Sequence, residues 1–403
     1  MKKLLLLLLF YSSISYAQLD FTRIYHPIIN EAELAIVDTN YHEALSFYNE
    51  AFANVEKPFA KDYYNAAICA TLVGKMPVAF DFLEKIVAKG YQVNNFKKDP
   101  FFKAVADTSK LWANFEKQAL LIKPHTDTKL RDSLLNMRRS IVLPSTGWLT
   151  PELRDYMKEH GKVNYQIVFD SLAFVNKMPE LLKKQVDSLK QINMTASVVA
   201  REALLGFQKV LEINGFLDEN TLGLNQITKE NTYGPYQTSS SPNYLFKSTL
   251  IDEILTYSSF QRKVDNFDVL PIIKKAIREG KANPSILKSL LEYSTEEPCT
   301  MGRVLVVQVR LEDNVNCPDK DWQAKQEKFY WKKERSSTLS DIEINEYRQN
   351  LGLEKLEDAY RKAFFKARPT HFIINGGSYQ AELAYIPSCE LIDKMIKGAV
   401  VLR

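Results

Sequence analysis

Glycine and proline are scarce, 14 and 16 residues among 403. Those numbers exclude a collagen-like repeat and a chain built mainly of linkers. An excess of charge of one sign is missing too: 53 Lys and Arg stand against 49 Asp and Glu, a net +4. Nucleic-acid binders concentrate basic residues on one face, so no nucleic-acid partner is expected. Histidine is rare, and none of His26, His42, His125, His160 and His371 lies within four positions of another. H-E-x-x-H and every other local two-histidine metal spacing are therefore excluded. G-x-S-x-G, P-loop and G-x-G-x-x-G patterns are also absent. Asp252 and Glu253 are adjacent carboxylates, but helical neighbours point ~100° apart and do not face one substrate. No catalytic, cofactor-binding or metal-ligating residue is assigned, and no cofactor is expected.

Long apolar runs are confined to the amino terminus. Met1-Lys2-Lys3 precedes Leu4 to Leu9 and Phe10, and small residues stand at Ser15 and Ala17. This is the charged, apolar and small-residue order of a signal peptide over 1–17, with cleavage expected after Ala17. The run is shorter than the ~20 residues that span a bilayer. No cysteine follows it, so a lipid anchor is not expected, and no later segment is apolar enough to span a membrane. The expected address is outside the cytoplasm, in the periplasm or the exterior.

Only four cysteines occur, Cys69, Cys299, Cys317 and Cys389, and none has C-x-x-C spacing. A zinc ribbon and a thioredoxin motif are thereby excluded. Cys299 and Cys317 flank the strongest strand pattern. In an oxidising compartment they are the candidate disulfide, worth ~3 kcal/mol by chain entropy, with two free thiols as the alternative. Cys69 sits in an apolar helical pattern and reads as a small core residue.

Residues 18–122 read as helical with an internal repeat. Ala44, Leu45, Tyr48, Ala51 and Phe52 fall on one helix face. The same pattern returns 35 residues later as Ala79, Phe80, Leu83, Ile86 and Val87, with Met76 matching Tyr41. Gly74 and Gly90 punctuate helix ends, and Pro77 suits a first helical turn. The segment from about 28 to 93 resembles a pair of tetratricopeptide repeats, whose period is 34. Asp99-Pro100 looks like an N-cap with a proline behind it, opening a capping helix through Phe101, Phe102, Val105, Trp112 and Phe115. Tyr41, Tyr48, Tyr63 and Tyr64 are the candidate interaction surface.

The polar stretch Lys123 to Asp127 marks a domain boundary, with a second domain over 126–403. Helices are expected from Thr128, from Thr150-Pro151, through much of 165–213, and over 244–265, 269–279 and 284–293. Leu305, Val307, Val309 and Leu311 share one strand face. His371 to Ile374, then Asn375-Gly376-Gly377, then Ser378 to Ile386 read as a hairpin. Ser340 and Glu343 form a capping box between them. The expected fold is mainly α: tetratricopeptide-like hairpins, then a helical domain with a small antiparallel β-sheet near the C-terminus.

Three further stretches recur in order. Gly215-Phe216 with Gly223 is similar to a "Gly-aromatic-Pro … Gly" corner, with Leu217 in place of the proline. Leu270-Pro271 and Gly280 to Pro284, behind Phe260-Gln261, are similar to an "FQ … LP … G-x-x-x-P" core. Arg348 with Leu351-Gly352-Leu353 and Leu356-Glu357 is similar to an "R … LGL … LE" helix pair. Together, residues 125–366 resemble an uncharacterised domain family of exported bacterial proteins. That family has His-Ala-Asp where this chain has Thr256-Tyr257-Ser258, and a Tyr-Gly-Thr-Gln motif on the strand that here reads Val304 to Gln308. The resemblance implies a retained scaffold whose polar positions are lost: a disabled member if the family is enzymatic, a rewritten site if it is a binding module.

The expected function is non-catalytic: an exported protein binding a protein or peptide partner through its helical repeats. Two alternatives stand beside it. An enzyme would work near 233–261, where Tyr233, Tyr236 and Gln237 form a candidate ligand loop. A glycan-binding module would present Trp322 and Trp331 as an aromatic platform.

Overall fold

The computed structural model describes residues 20–142, 151–160, 175–224, 251, 254, 263–264, 267–268, 270–287, 303–311, 325, 328–334, 339–366, 370–376, 378–386 and 388–401. Residues 1–17, expected to be a signal peptide, and Cys299, Cys317, the Tyr233–Gln237 stretch and Trp322 lie outside them. The described residues are mainly helical, and none of their helices is long and apolar enough to cross a membrane.

A short helix α1 (Phe21–Ile24) leads into α2 (His26–Val37) and α3 (Tyr41–Ala53). These are followed by α4 (Ala60–Leu72) and α5 (Met76–Ala88). α2 packs on α3 and α4 on α5, so two helical hairpins stack through α3 and α4. The turns are local in origin. Asn40 caps α3 by accepting from the Glu43 N–H, and Gly74 and Gly90 end their helices at positive φ. The repeated face is the core: Ala44, Leu45, Tyr48 and Ala51 are buried, as are Ala79, Phe80, Leu83, Ile86 and Val87. α6 (Val93–Lys98), α7 (Pro100–Thr108) and α8 (Trp112–Ala119) close the stack. Asp99 caps α7 at 2.8 Å from the Phe101 N–H, and Phe96, Phe102, Trp112 and Phe115 bury the closing face. Cys69 is a free, buried core thiol.

A second apolar cluster draws on α9 (Thr128–Val142), α11 (Glu180–Asn214), α13 (Leu270–Arg278) and the corner after α14 (Asp341–Asn350). In between run α10 (Pro151–Glu159) and α12 (Glu219–Leu222). Leu351 and Leu353 join this cluster with Phe216, Leu270 and Ala282, so the stretches singled out by family resemblance meet in space. The capping box forms at the start of α14, with the Ser340 N–H donating to Glu343 Oε2 at 2.8 Å. α15 (Leu356–Lys366) follows and packs against α2. Gly280, at φ +70°, lies so close to Phe21 that a Cβ there would come within 2.3 Å of the ring. Only glycine allows this approach between the two clusters.

The antiparallel hairpin expected over 371–386 does not form. Besides the short antiparallel pair β1 (Lys263–Val264) and β2 (Phe267–Asp268), the strand β5 (Ser378–Ile386) pairs in parallel with β3 (Arg303–Leu311), while β4 (Phe329–Glu334) pairs antiparallel with β3. Residues 371–374 make no strand. The reason is that the N–H and C=O of Ile373 are held by Asn65 on α4 rather than by a strand.

Candidate functional site

α2 and α4 line a groove, and residues 372–375 lie in it. Asn65, fully buried on α4, grips Ile373 with both ends of its amide. Its Nδ2 donates to the Ile373 carbonyl at 2.8 Å, and the Ile373 N–H donates to its Oδ1 at 2.9 Å. One residue pair thus satisfies both backbone groups of Ile373, as a neighbouring strand would. The Asn375 N–H donates to both Glu33 carboxylate oxygens, at 3.0 and 3.1 Å. Phe372 stacks on Tyr41 with centroids 5.7 Å apart, and Ile373 and Ile374 are buried in the repeat core. Backbone recognition and side-chain burial together are the physics of a peptide held in a helical groove. Here the peptide belongs to the same chain.

Glu33 is the hub of the groove. Lys61 Nζ approaches one oxygen at 2.7 Å and Lys362 Nζ the other at 2.8 Å. Lys61 also pairs with Asp62, which accepts at 2.7 Å from the Tyr25 hydroxyl. Glu33, Lys61, Asp62 and Lys362 are all at most 4% exposed, and the quartet is neutral. Neutrality matters because each buried ion alone would carry a desolvation cost of several kcal/mol. Burial works to raise the Glu33 carboxyl, but Lys362 and Lys61 overcome it and hold it at about 2. Burial dominates at Asp62 and raises it. His26, about two turns earlier on α2, is lowered to about 3, first by burial and then by Lys61.

A second remote segment grips the other end of the groove. Phe59 offers no side-chain cap to α4. Glu219 replaces it, accepting from the Ala60 N–H at 2.7 Å and pairing with Lys89 at 2.9 Å. The Leu224 N–H then donates to the Lys89 carbonyl at 2.8 Å. Arg361 adds a two-oxygen contact to Asp38 on the rim, at 2.7 and 2.9 Å.

Nothing matches this chain. No protein-family model, no curated protein and no solved structure does.

The expected tyrosine surface is redistributed by this geometry. Tyr48 and Tyr64 are core residues, 0% and 1% exposed, and Tyr64 donates to Asp99 at 2.6 Å. They point inward because the face carrying them is the one through which the hairpins stack. Tyr63 packs on Phe52 and Phe82, and Tyr41 alone touches the bound segment. The residues that hold it, Glu33 and Asn65, were not singled out by the sequence. Their one local signal is a polar side chain inside an apolar helical run, as in Ala32-Glu33-Leu34 and Asn65-Ala66-Ala67. Of the glycan-platform pair, Trp331 lies on β4 opposite Val306 and Val400.

The buried groups predict an acid-sensitive fold. Above pH 6.5, the ordinary histidine value, His26 is neutral in folded and unfolded chains alike. Below it the unfolded chain takes a proton that the folded chain refuses, so stability falls as the pH drops toward 3. Glu33 steepens the fall below its ordinary value of 4.5, because the folded carboxylate resists protonation down to about 2. Asp62, raised from 3.8, acts in the opposite sense and offsets part of that lower arm. Each unit of difference is worth about 1.4 kcal/mol. Melting temperature is therefore expected to decline from pH 6.5 downward in the wild type. In His26→Gln the decline should begin only near 4.5. Identical profiles for the two proteins would contradict this role of His26.

Proposed function

We propose that the chain is an exported, non-catalytic interaction protein whose helical repeats recognise an extended peptide. The observation that carries the reading is the two-ended grip of Asn65 on Ile373, with Glu33 receiving the next free amide, that of Asn375. These contacts read backbone rather than side-chain identity, so they suit a partner segment in extended form. The tetratricopeptide-like spacing supports the reading, since such repeats build peptide grooves. The ionisable groups nearest the groove are paired with one another, which favours binding over proton transfer. Export rests on the amino-terminal order of lysines, leucines and small residues. The likeness of 125–366 to an exported bacterial domain, with a small sheet completing it, is part of the same proposal. The chain's own segment 370–376 stands in the groove as an internal ligand.

The test uses a fluorescent peptide, Thr-His-Phe-Ile-Ile-Asn-Gly, copied from residues 370–376. The filled wild-type groove is expected to bind it weakly. Ile373→Ala, which loosens the internal segment by ~2–5 kcal/mol, is expected to bind it measurably by fluorescence anisotropy. Adding Asn65→Ala to that variant should abolish the signal. No binding to Ile373→Ala, in a protein that keeps its helical circular dichroism, would overturn the reading.

A further inference from the structure

Beside the groove the fold leaves space that the internal segment does not fill. A chamber of about 40 Å³ lies between α2 and the corner after α14, and against it an outer cleft of about 640 Å³. His26, Asn30, Gly352, Leu353 and Glu354 line both, so the two adjoin and form one recess in the wall between α2 and the corner. The outer volume lies within the range of small-molecule sites, ~300–1,000 Å³. The inner one has room for a single hydroxyl or amide head, or for ordered water, which occupies ~30 Å³ per molecule in the liquid.

Two buried polar atoms at this recess have no hydrogen-bond partner: His26 Nε2 and Asn30 Oδ1. His26 is only 7% exposed. Asn30 donates its Nδ2 to Asp358 at 3.2 Å, which commits that end and leaves the oxygen to the recess. A buried polar atom left unpaired costs ~1–3 kcal/mol, so two at one recess are unexpected in a purely structural wall. The charged groups of the inner chamber are engaged with one another. Glu33 holds Lys362, and Glu354 holds Arg348 at 3.1 Å. As many carboxylates as cations line the recess, so it carries no net charge. Gly352 lets the corner pack closely against His26: a Cβ there would approach His26 Cδ2 to 3.0 Å and Pro284 Cγ to 3.3 Å.

We infer that this recess binds an uncharged small molecule that donates hydrogen bonds, through His26 and Asn30. The shared chemistry is that of a sugar hydroxyl or a primary amide. The Asn30 amide oxygen accepts, and neutral His26 Nε2 accepts in the tautomer that carries its proton on Nδ1, which matches two donors on one ligand. In the inner chamber an anion would find no free cation and a cation no free carboxylate, because its four charged groups pair with one another. The inference does not rest on the peptide reading, because the internal segment and the ligand occupy different spaces.

Calorimetric titration of the full chain tests it with glucose, N-acetylglucosamine and acetamide, against acetate and methylammonium as charged probes. Saturable heat with at least one uncharged probe, and none with the charged pair, is expected. The sugar and amide arms tell the two sources apart. His26→Leu and Asn30→Ala should each weaken binding roughly 3- to 10-fold, the loss of one hydrogen bond. His26→Gln, which retains an acceptor, should keep more affinity than His26→Leu. Melting curves of the variants separate lost binding from lost fold. No saturable heat with any uncharged probe, meaning a recess filled by water only, overturns the inference. So does binding that both His26→Leu and Asn30→Ala leave unchanged.

Discussion

Glu33→Gln is expected to lower the unfolding free energy by ~3–5 kcal/mol, the range for removing one partner of a buried ion network. The substitution conserves shape and leaves two ammonium groups, those of Lys61 and Lys362, facing a single carboxylate, that of Asp62. The site would then hold an uncompensated positive charge at most 4% exposed. A loss of that size consumes much of the ~5–15 kcal/mol that holds an ordinary domain together. Denaturant titration followed by Trp112 fluorescence measures it, since Trp112 is buried in the repeat stack. The electrostatic cause has its own control. Lys362→Met, added to Glu33→Gln, removes the surplus charge and should recover part of the loss, a coupling visible in the double-mutant cycle. A double variant no more stable than Glu33→Gln would mean that the cost is packing, not charge.

Asn65→Ala should destabilise by ~2–5 kcal/mol and act at one place in the chain. Both hydrogen bonds of its amide end on Ile373, so truncation orphans one N–H and one C=O in the core. Each orphaned group costs ~1–3 kcal/mol. Amide hydrogen exchange reads the locality. The Ile373 N–H should lose its protection, followed by that of Asn375, while the inner turns of α5 keep theirs. Uniform acceleration across the repeats would show that Asn65 supports the stack rather than the bound segment. Because the hairpins retain their own core of Ala, Leu and Tyr, the local outcome is the expected one.

The same residues explain why the carboxy-terminal hairpin was legible and wrong. Phe372-Ile373-Ile374 before Asn-Gly-Gly has the composition of a strand ending in a turn. An unbroken apolar run, though, does not distinguish a sheet strand from any other buried extended segment. The deciding partner, Asn65, lies 308 positions away. Tyr48 and Tyr64 lie in the core rather than on a surface for a related reason. The helical period tells which residues share a face, and Tyr48 does share one with Ala44 and Ala51. It does not tell whether that face meets a neighbouring helix or a ligand.

What the sequence determined by itself is local and periodic. The helix N-caps at Asn40, Asp99 and Ser340, the helix ends at Gly74 and Gly90, and the repeated apolar face of α3 and α5 follow from contacts within a few residues. They can be read without a fold because their partners are adjacent in the chain. Tertiary structure alone decided where the chemistry sits. Glu33 meets Lys362, 329 positions on, and Glu219 caps a helix that begins 159 positions earlier. His26 and Asn30 come to line a recess only because Gly352 brings the corner after α14 against α2. A carboxylate in an apolar helix carries no mark of which lysine will neutralise it. That choice is made by burial, which forces every charge taken from water to find a partner wherever the chain provides one.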